Sequence, residues 1–156
     1  MKEIKKIASF QVDHRFITPG LYISRIDDDV TTYDLRTRKP NCNDYMDHAT
    51  MHTLEHMFAT YVRSSQIGNS VLYFGPMGCQ TGFYLLVRNH DHNLVPQVVT
   101  ETLENILSHT EDVFGNSEIE CGNFSSLCLD AAKKECARYL EALQKDKNQF
   151  IYPKED

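Results

Sequence analysis

The chain has 156 residues, a length typical of one compact domain, so we expect a single catalytic domain over residues 1–156. Its 41% hydrophobic and 24% charged residues are ordinary for a globular protein and exclude a disordered or fibrous chain. The net charge of -6, without a stripe of lysines and arginines, argues against nucleic acid as a partner.

The apolar segments and the cysteines indicate where in the cell the protein is located. No run approaches the roughly 20 apolar residues that cross a bilayer, and the first residues lack the apolar stretch of a secretion signal. The 5 cysteines are an odd number without a C-x-x-C pair, which favours free thiols in a reducing environment. We therefore expect a cytoplasmic protein without a membrane partner.

The first half of the chain has the patterns of short strands followed by a helix. Alternation of apolar and polar residues predicts strands over 7–13, 21–26 and 30–35, with turn residues between them. Over 47–65 the apolar residues recur with the period of a helix. This helix is the first strongly periodic element.

The second half continues with two strands and two helices. The strands 70–74 and 83–87 flank a loop at 75–82 that contains three glycines and a proline. Amphipathic patterns predict helices over 95–108 and from about 126 to 145. This order of elements predicts an α+β fold, a single-domain two-layer sandwich in which an antiparallel β-sheet packs with α-helices.

The strongest local signal is His52-Thr53-Leu54-Glu55-His56, which has the H-x-x-E-H spacing of inverted zinc peptidases. Imidazoles four residues apart lie on one helix face and can bind one divalent metal. A neighbouring carboxylate such as Glu55 can act as a general acid or base. The alternative is a pair of solvated surface histidines beside an ordinary glutamate. His48, one turn earlier, is a minor candidate ligand.

A catalytic metal commonly takes three protein ligands and keeps one position open, so a third ligand must come from a distant segment. Cys121 is the candidate, because it lies in a polar loop before the last helix, where a thiol is accessible. Cys128 and Cys136 fall inside the predicted last helix, where a cysteine is ordinarily a small buried side chain.

Cys79 lies in the loop rich in glycine at 75–82. A tight turn there can present the thiol beside backbone amides that favour the thiolate. Next to a metal, such a thiolate could abstract a proton from a substrate. The alternative is a structural turn with an incidental buried cysteine.

Five segments of the chain, in order and covering nearly its whole length, resemble the S-ribosylhomocysteine lyase (LuxS) family, which makes the precursor of the autoinducer-2 signal. They are Ser9-Phe10-Gln11-Val12-Asp13-His14, Tyr33-Asp34-Leu35-Arg36 with Lys39-Pro40-Asn41, His52-Thr53-Leu54-Glu55-His56, Gly75-Pro76-Met77-Gly78-Cys79-Gln80-Thr81-Gly82, and Cys121-Gly122. The chain departs from the family pattern at Thr37-Arg38 and at Cys128, where a His-Asp-Leu sequence is expected.

The resemblance implies a metal site and an acid/base pair. One divalent metal per subunit, natively Fe(II) and replaceable by Zn(II) or Co(II), would be bound by His52, His56 and Cys121. Glu55 and Cys79 would exchange protons with the substrate. The implied fold, an antiparallel sheet packed with helices, agrees with the pattern of elements.

The implied substrate is S-ribosylhomocysteine, contacted by Ser9, His14 and Arg36, with active sites shared across a homodimer interface. Cys79 would move the sugar carbonyl from C1 to C3, and loss of the C4 proton to Glu55 would expel homocysteine, leaving 4,5-dihydroxy-2,3-pentanedione. The resemblance implies a product that either serves quorum sensing or leaves methyl-cycle recycling as waste.

Two alternatives from other functional classes stay open on the residues alone. In a small metallopeptidase, Glu55 would activate a water molecule on the metal. In a non-catalytic metal-binding module, a fourth protein ligand would close the metal site, and Cys79 would have no role.

Overall fold

A computed structural model describes residues 1–88 and 92–156. The strands and α-helices follow in the order β1 (Gly20–Asp27), β2 (Val30–Arg36), α1 (His48–Arg63), β3 (Val71–Pro76), β4 (Gly82–Arg88), α2 (Val95–Ser108) and α3 (Leu129–Lys145). Among the described residues the strands form one antiparallel sheet in the order β1-β2-β4-β3. The predicted α+β fold is confirmed.

The prediction of a strand over 7–13 is wrong. Ala8–Phe10 forms a short 3-10 helix, and Phe10 is exposed. The outer edge of β1 is instead contacted from the other end of the chain, where the Phe150 carbonyl accepts a hydrogen bond from the Ile23 amide at 2.9 Å. Alternation alone does not make a strand, because a strand also needs an edge on which to pair.

The last helix begins later than the sequence pattern predicts. A 3-10 helix at Phe124–Ser126 precedes it, and Cys128 is the exposed N-cap residue of α3. The interpretation of Cys128 as a buried helical residue is therefore wrong. Cys136 is fully buried as expected, and burial raises the pKa of its thiol to about 12.

The two faces of the sheet have different partners. One face packs on the helices, and its side chains join one core cluster with those of α1, α2 and α3, among them Tyr33, Leu35, Phe83, Leu85, Phe58, Val99 and Tyr139. Strand pairing places Tyr22, Asp34 and Tyr84 side by side on the opposite face. That face is covered in part by Tyr152, whose ring stacks on Tyr22 with centroids 4.7 Å apart.

The helices are of ordinary length for a packed domain. Over residues 1–88 and 92–156, none is both long and apolar enough to cross a membrane.

Candidate active site

Helix α1 presents the two histidines of the H-x-x-E-H segment on one face. The Asp47 side chain caps the helix by accepting a hydrogen bond from the Thr50 amide at 2.8 Å. Because Leu54 and its apolar neighbours face the core, the histidines lie on the other side, half-buried. The rings of His52 and His56 have their centroids 4.7 Å apart.

Residues 114–128 cross over this face of α1 and orient both imidazoles. The Nδ1–H of His56 donates to the Phe114 carbonyl at 2.8 Å. Nδ1 of His52 lies 2.6 Å from the Ser126 hydroxyl, which itself donates to the Asn123 carbonyl, so the hydroxyl accepts from His52. With Nδ1 protonated, each ring keeps the lone pair of Nε2 for a metal.

Gly115 allows this crossing segment to approach the helix. Its φ of +73° lies in the left-handed region that favours glycine. A Cβ at this position would lie 2.8 Å from Nδ1 of His56. Glycine is therefore required both for the turn and for the position of the His56 ring.

Cys121 completes a set of three metal-ligand atoms. Its sulfur lies 3.4 Å from Nε2 of His52, and the ligand atoms of His52, His56 and Cys121 all lie within 4.8 Å of one another. Tetrahedral bonds of about 2.1–2.3 Å hold two ligand atoms about 3.5 Å apart. Two imidazoles and a thiolate suit Zn(II), Fe(II) or Co(II), so these residues can hold a divalent metal.

Glu55 and His48 flank this set. Taking about 100° per residue, Glu55 lies about 60° around the helix from His52, and its side chain is half-buried. His48 is exposed and stays outside the group of three, as expected for a residue at the helix start. Burial lowers the pKa of His52, and the neighbouring His56 lowers it further. The lowered pKa keeps His52 neutral, the form that binds metal.

The loop that carries Cys79 is a closed turn between β3 and β4. The Met77 amide donates to the Gly82 carbonyl at 2.9 Å, and Gln80 adopts a φ of +66°. Gln80 also exchanges two hydrogen bonds with the backbone of Met46, each 2.9 Å long. Because Met46 immediately precedes the N-cap of α1, the turn is fixed to the start of the histidine helix. The Cys79 side chain is exposed.

Behind Cys79 lies a buried ion pair. Arg36, at the end of β2, is paired with Gly82 across the sheet, and its guanidinium therefore reaches the turn. Nη1 donates to the Thr81 hydroxyl at 2.8 Å and lies 3.9 Å from the Cys79 sulfur, while Nη2 donates to Asp34 at 2.6 Å. The Arg36 side chain is only 3% exposed. Burial disfavours its charge, but Asp34 outweighs burial and raises the pKa of Arg36.

Tyr152 supports the ion pair from the far end of the chain. Its hydroxyl donates to Asp34 at 2.6 Å. Burial raises the pKa of Tyr152 far above its ordinary value, and the Asp34 charge raises it further, so the phenol stays protonated.

The sequence patterns did not identify four residues of this site, namely Asp34, Thr81, Ser126 and Tyr152. The spacing Asp34-x-Arg36 was the one available signal, since residues two apart share a strand face.

The residues implied as substrate contacts lie in different surroundings. His14 and Cys79 line one depression of about 270 Å³, together with Pro40, Asn41 and Tyr45. Ser9 is half-buried in the 3-10 helix at Ala8–Phe10 and is not among the residues that line this depression. Arg36 lies beneath the turn.

The sequence was compared with known families and curated proteins. The S-Ribosylhomocysteinase (LuxS) family model matches residues 7–150. An S-ribosylhomocysteine lyase of Borreliella afzelii is 38% identical over 157 residues, covering 96% of this chain and 100% of that protein. An S-ribosylhomocysteine lyase of Desulfotalea psychrophila is 40% identical over 143 residues, covering 87% of this chain and 89% of that protein. A match over nearly the whole chain, with the three ligands in one group, shows that the chain belongs to the S-ribosylhomocysteinase (LuxS) family.

Proposed function

We propose that this chain is a metal-dependent lyase that cleaves the thioether of S-ribosylhomocysteine to homocysteine and 4,5-dihydroxy-2,3-pentanedione. The observation that carries the proposal is the group of three ligand atoms from His52, His56 and Cys121, within 4.8 Å of one another, in a chain matched by the family over residues 7–150. We further propose residues 1–156 as one catalytic domain. The free cysteines support a cytoplasmic location.

The metal site supports a lyase better than the two alternatives. The three ligands found among residues 1–88 and 92–156 leave a position open for substrate, whereas a non-catalytic module closes its site with a fourth protein ligand. When bound, the divalent metal, which we propose is Fe(II) with Zn(II) or Co(II) as substitutes, supplies Lewis-acid polarisation of the sugar carbonyl. The curated relatives are lyases, which disfavours a small metallopeptidase.

Cys79 is the proposed base for migration of the carbonyl. Its thiolate takes a proton from the carbon beside the carbonyl and returns it to the former carbonyl carbon, and a second such transfer brings the carbonyl to C3. The Arg36 guanidinium, 3.9 Å from the sulfur, favours the negative thiolate. The burial of Arg36 keeps this charge fixed beneath the turn.

Glu55 is the proposed base for the final elimination. Its carboxylate takes the proton from C4 while the electrons of that C–H bond form a double bond to C5 and the C5–S bond breaks. The homocysteine sulfur leaves as a thiolate and is then protonated. The position of Glu55 directly before His56, beside the ligand face of α1, supports this proposal.

We also propose a homodimer that shares its active sites. The family resemblance implies that Ser9 and His14 serve the partner's site, while here His14 lines the depression beside Cys79 of its own chain. Mixing Ser9→Ala/His14→Ala protein with Cys79→Ala protein decides between the two. Regained activity in confirmed heterodimers indicates sites shared between chains. Heterodimers without activity indicate that these residues serve their own chain.

The test of the proposed function is release of free thiol from S-ribosylhomocysteine by anaerobically purified protein, with and without a chelator. We expect homocysteine release that the chelator abolishes and that added Fe(II) or Co(II) restores. Cys79→Ala should release no thiol, whereas Cys42→Ala, a change of another exposed cysteine, should release it at the native rate. Native turnover by Cys79→Ala would contradict the role of this thiol.

A further inference from the structure

The Thr81 hydroxyl lies between the buried arginine and the thiol. It accepts a hydrogen bond from Nη1 of Arg36 at 2.8 Å, and its oxygen lies 3.0 Å from the Cys79 sulfur. The threonine is 2% exposed. Its carbonyl accepts hydrogen bonds from the amides of Thr37 and Arg38, each at 3.0 Å. Hydrogen bonds to both its backbone and its side chain therefore fix the position of Thr81.

The direction of the hydrogen bond to sulfur follows from the chemistry of arginine. A guanidinium donates and never accepts, so the Thr81 hydrogen cannot be used toward Arg36. If Cys79 is a thiolate, the hydroxyl donates to it and every group is satisfied. A neutral Cys79 thiol can accept this hydrogen bond only weakly, whereas a thiolate accepts it strongly because it is charged. The arrangement thus favours the ionised sulfur.

We propose that Thr81 is a positioning residue for Cys79, whose hydroxyl, polarised by Arg36, donates to the sulfur and favours the thiolate. The catalytic consequence rests on the proposed lyase function, because it assumes that the Cys79 thiolate moves protons. The inference about the ionisation of the sulfur rests only on the contacts of Thr81.

Other charged or titratable groups lie around this sulfur. Besides Arg36 and its partner Asp34, they are Tyr84 on β4, Tyr152 behind the ion pair, and His14 and Tyr45, which line the depression with Cys79. A test of Thr81 must therefore leave these groups in place. Thr81→Val leaves them in place, because it keeps the branched shape of the side chain and replaces only the hydroxyl by a methyl group.

The test is alkylation of the metal-loaded protein by iodoacetamide across a series of pH values, with the modified cysteine identified by peptide mass spectrometry. At pH 7 we expect Cys79 of Thr81→Val to react about tenfold more slowly than wild type, the loss expected for one hydrogen bond to a charged group. The two rates should approach each other as the pH is raised, because iodoacetamide reacts with the thiolate. The exposed Cys42 and Cys128 serve as internal references.

Two matched variants distinguish the loss of the Thr81 hydroxyl from a general disruption of the fold. Thr81→Ser keeps the hydroxyl and should react like wild type. Thr102→Val removes the hydroxyl of an equally buried threonine on α2, and Cys79 should react unchanged. Circular dichroism and metal content report the fold, and Thr81→Ala replaces Thr81→Val if the latter unfolds. A wild-type pH profile in Thr81→Val, or slow alkylation in Thr81→Ser, would overturn the proposal.

Turnover of S-ribosylhomocysteine separates this inference from the proposed function. If Thr81→Val alters alkylation while wild type releases no homocysteine, the lyase proposal fails and the role of Thr81 stands. If wild type is active and alkylation does not depend on Thr81, only the present inference fails. If the lyase proposal and the Thr81 proposal are both correct, Thr81→Val lowers kcat about tenfold, because a smaller fraction of Cys79 is thiolate, and leaves KM nearly unchanged.

Discussion

Replacing Tyr152 by Phe removes the hydroxyl that hydrogen-bonds to Asp34 of the buried ion pair and to Ser24, and it keeps the aromatic ring. The hydroxyl donates to Asp34 at 2.6 Å, and the ring that stacks on Tyr22 is retained in phenylalanine. A buried hydrogen bond to a charged group contributes about 1.5–3 kcal/mol. We expect Tyr152→Phe to lower the free energy of unfolding by about 2 kcal/mol, or the melting temperature by about 4–8 °C.

The measurement is urea unfolding followed by circular dichroism, at one protein concentration because an oligomer's stability depends on it. The pH dependence has a definite sign. Burial raises the pKa of Tyr152 in the folded chain, so its contribution is fully present below the unfolded value of about 10 and is lost as pH rises above it. The difference between wild type and Tyr152→Phe should therefore be constant from about pH 6 to 9.

Two controls make the result specific to Asp34. Tyr73→Phe, at a half-exposed tyrosine of β3, should change the unfolding free energy by less than about 0.5 kcal/mol. In an Asp34→Asn background, Tyr152→Phe should cost much less than in wild type, since the charged acceptor is gone. Equal stability of Tyr152→Phe and wild type, or equal costs in both backgrounds, would refute the reasoning.

Four further variants test the metal and thiol sites. Cys121→Ala should lose the metal while Cys79→Ala keeps both metal and fold, as measured by metal analysis after gel filtration; metal retained by Cys121→Ala would contradict its role as ligand. Ser126→Ala should weaken metal affinity about 10–100-fold in competition with a chelator, because the orienting hydrogen bond is lost. Gly115→Ala should displace the ring of His56 and weaken metal binding likewise, since its Cβ would lie 2.8 Å from Nδ1; native affinity would show that the segment shifts freely.

Local patterns predicted most of the fold. Helix α1 has a strong apolar period, and β2 and β4 have apolar residues that pair directly, such as Leu35 with Phe83. The wrong strand at 7–13 has the alternation, but the edge of β1 is contacted instead by Phe150, from the opposite end of the chain. A contact between residues so distant in sequence leaves no trace in a local pattern.

The candidate site was predictable where its residues belong to a motif. His52, His56 and Cys121 form the expected group. The hydrogen bond between Asp34 and Tyr152 joins residues 118 apart in sequence, and strand pairing decides that Asp34 faces away from the helices. No periodicity in the sequence reports such a pairing.

The buried ion pair has a use that stability does not explain. Removing a charged pair from water is costly, and an apolar pair of similar size often stabilises a protein as well or better. Here the pair lies beneath the turn of Cys79, and Arg36 has two nitrogens on Asp34 and the third toward Thr81 and the sulfur. Asp34 and Tyr152 thus hold the guanidinium in one orientation. If Cys79 is the base proposed above, a fixed positive charge favours its thiolate without reorganising during the reaction, which would be the physical reason to keep a costly pair at this place.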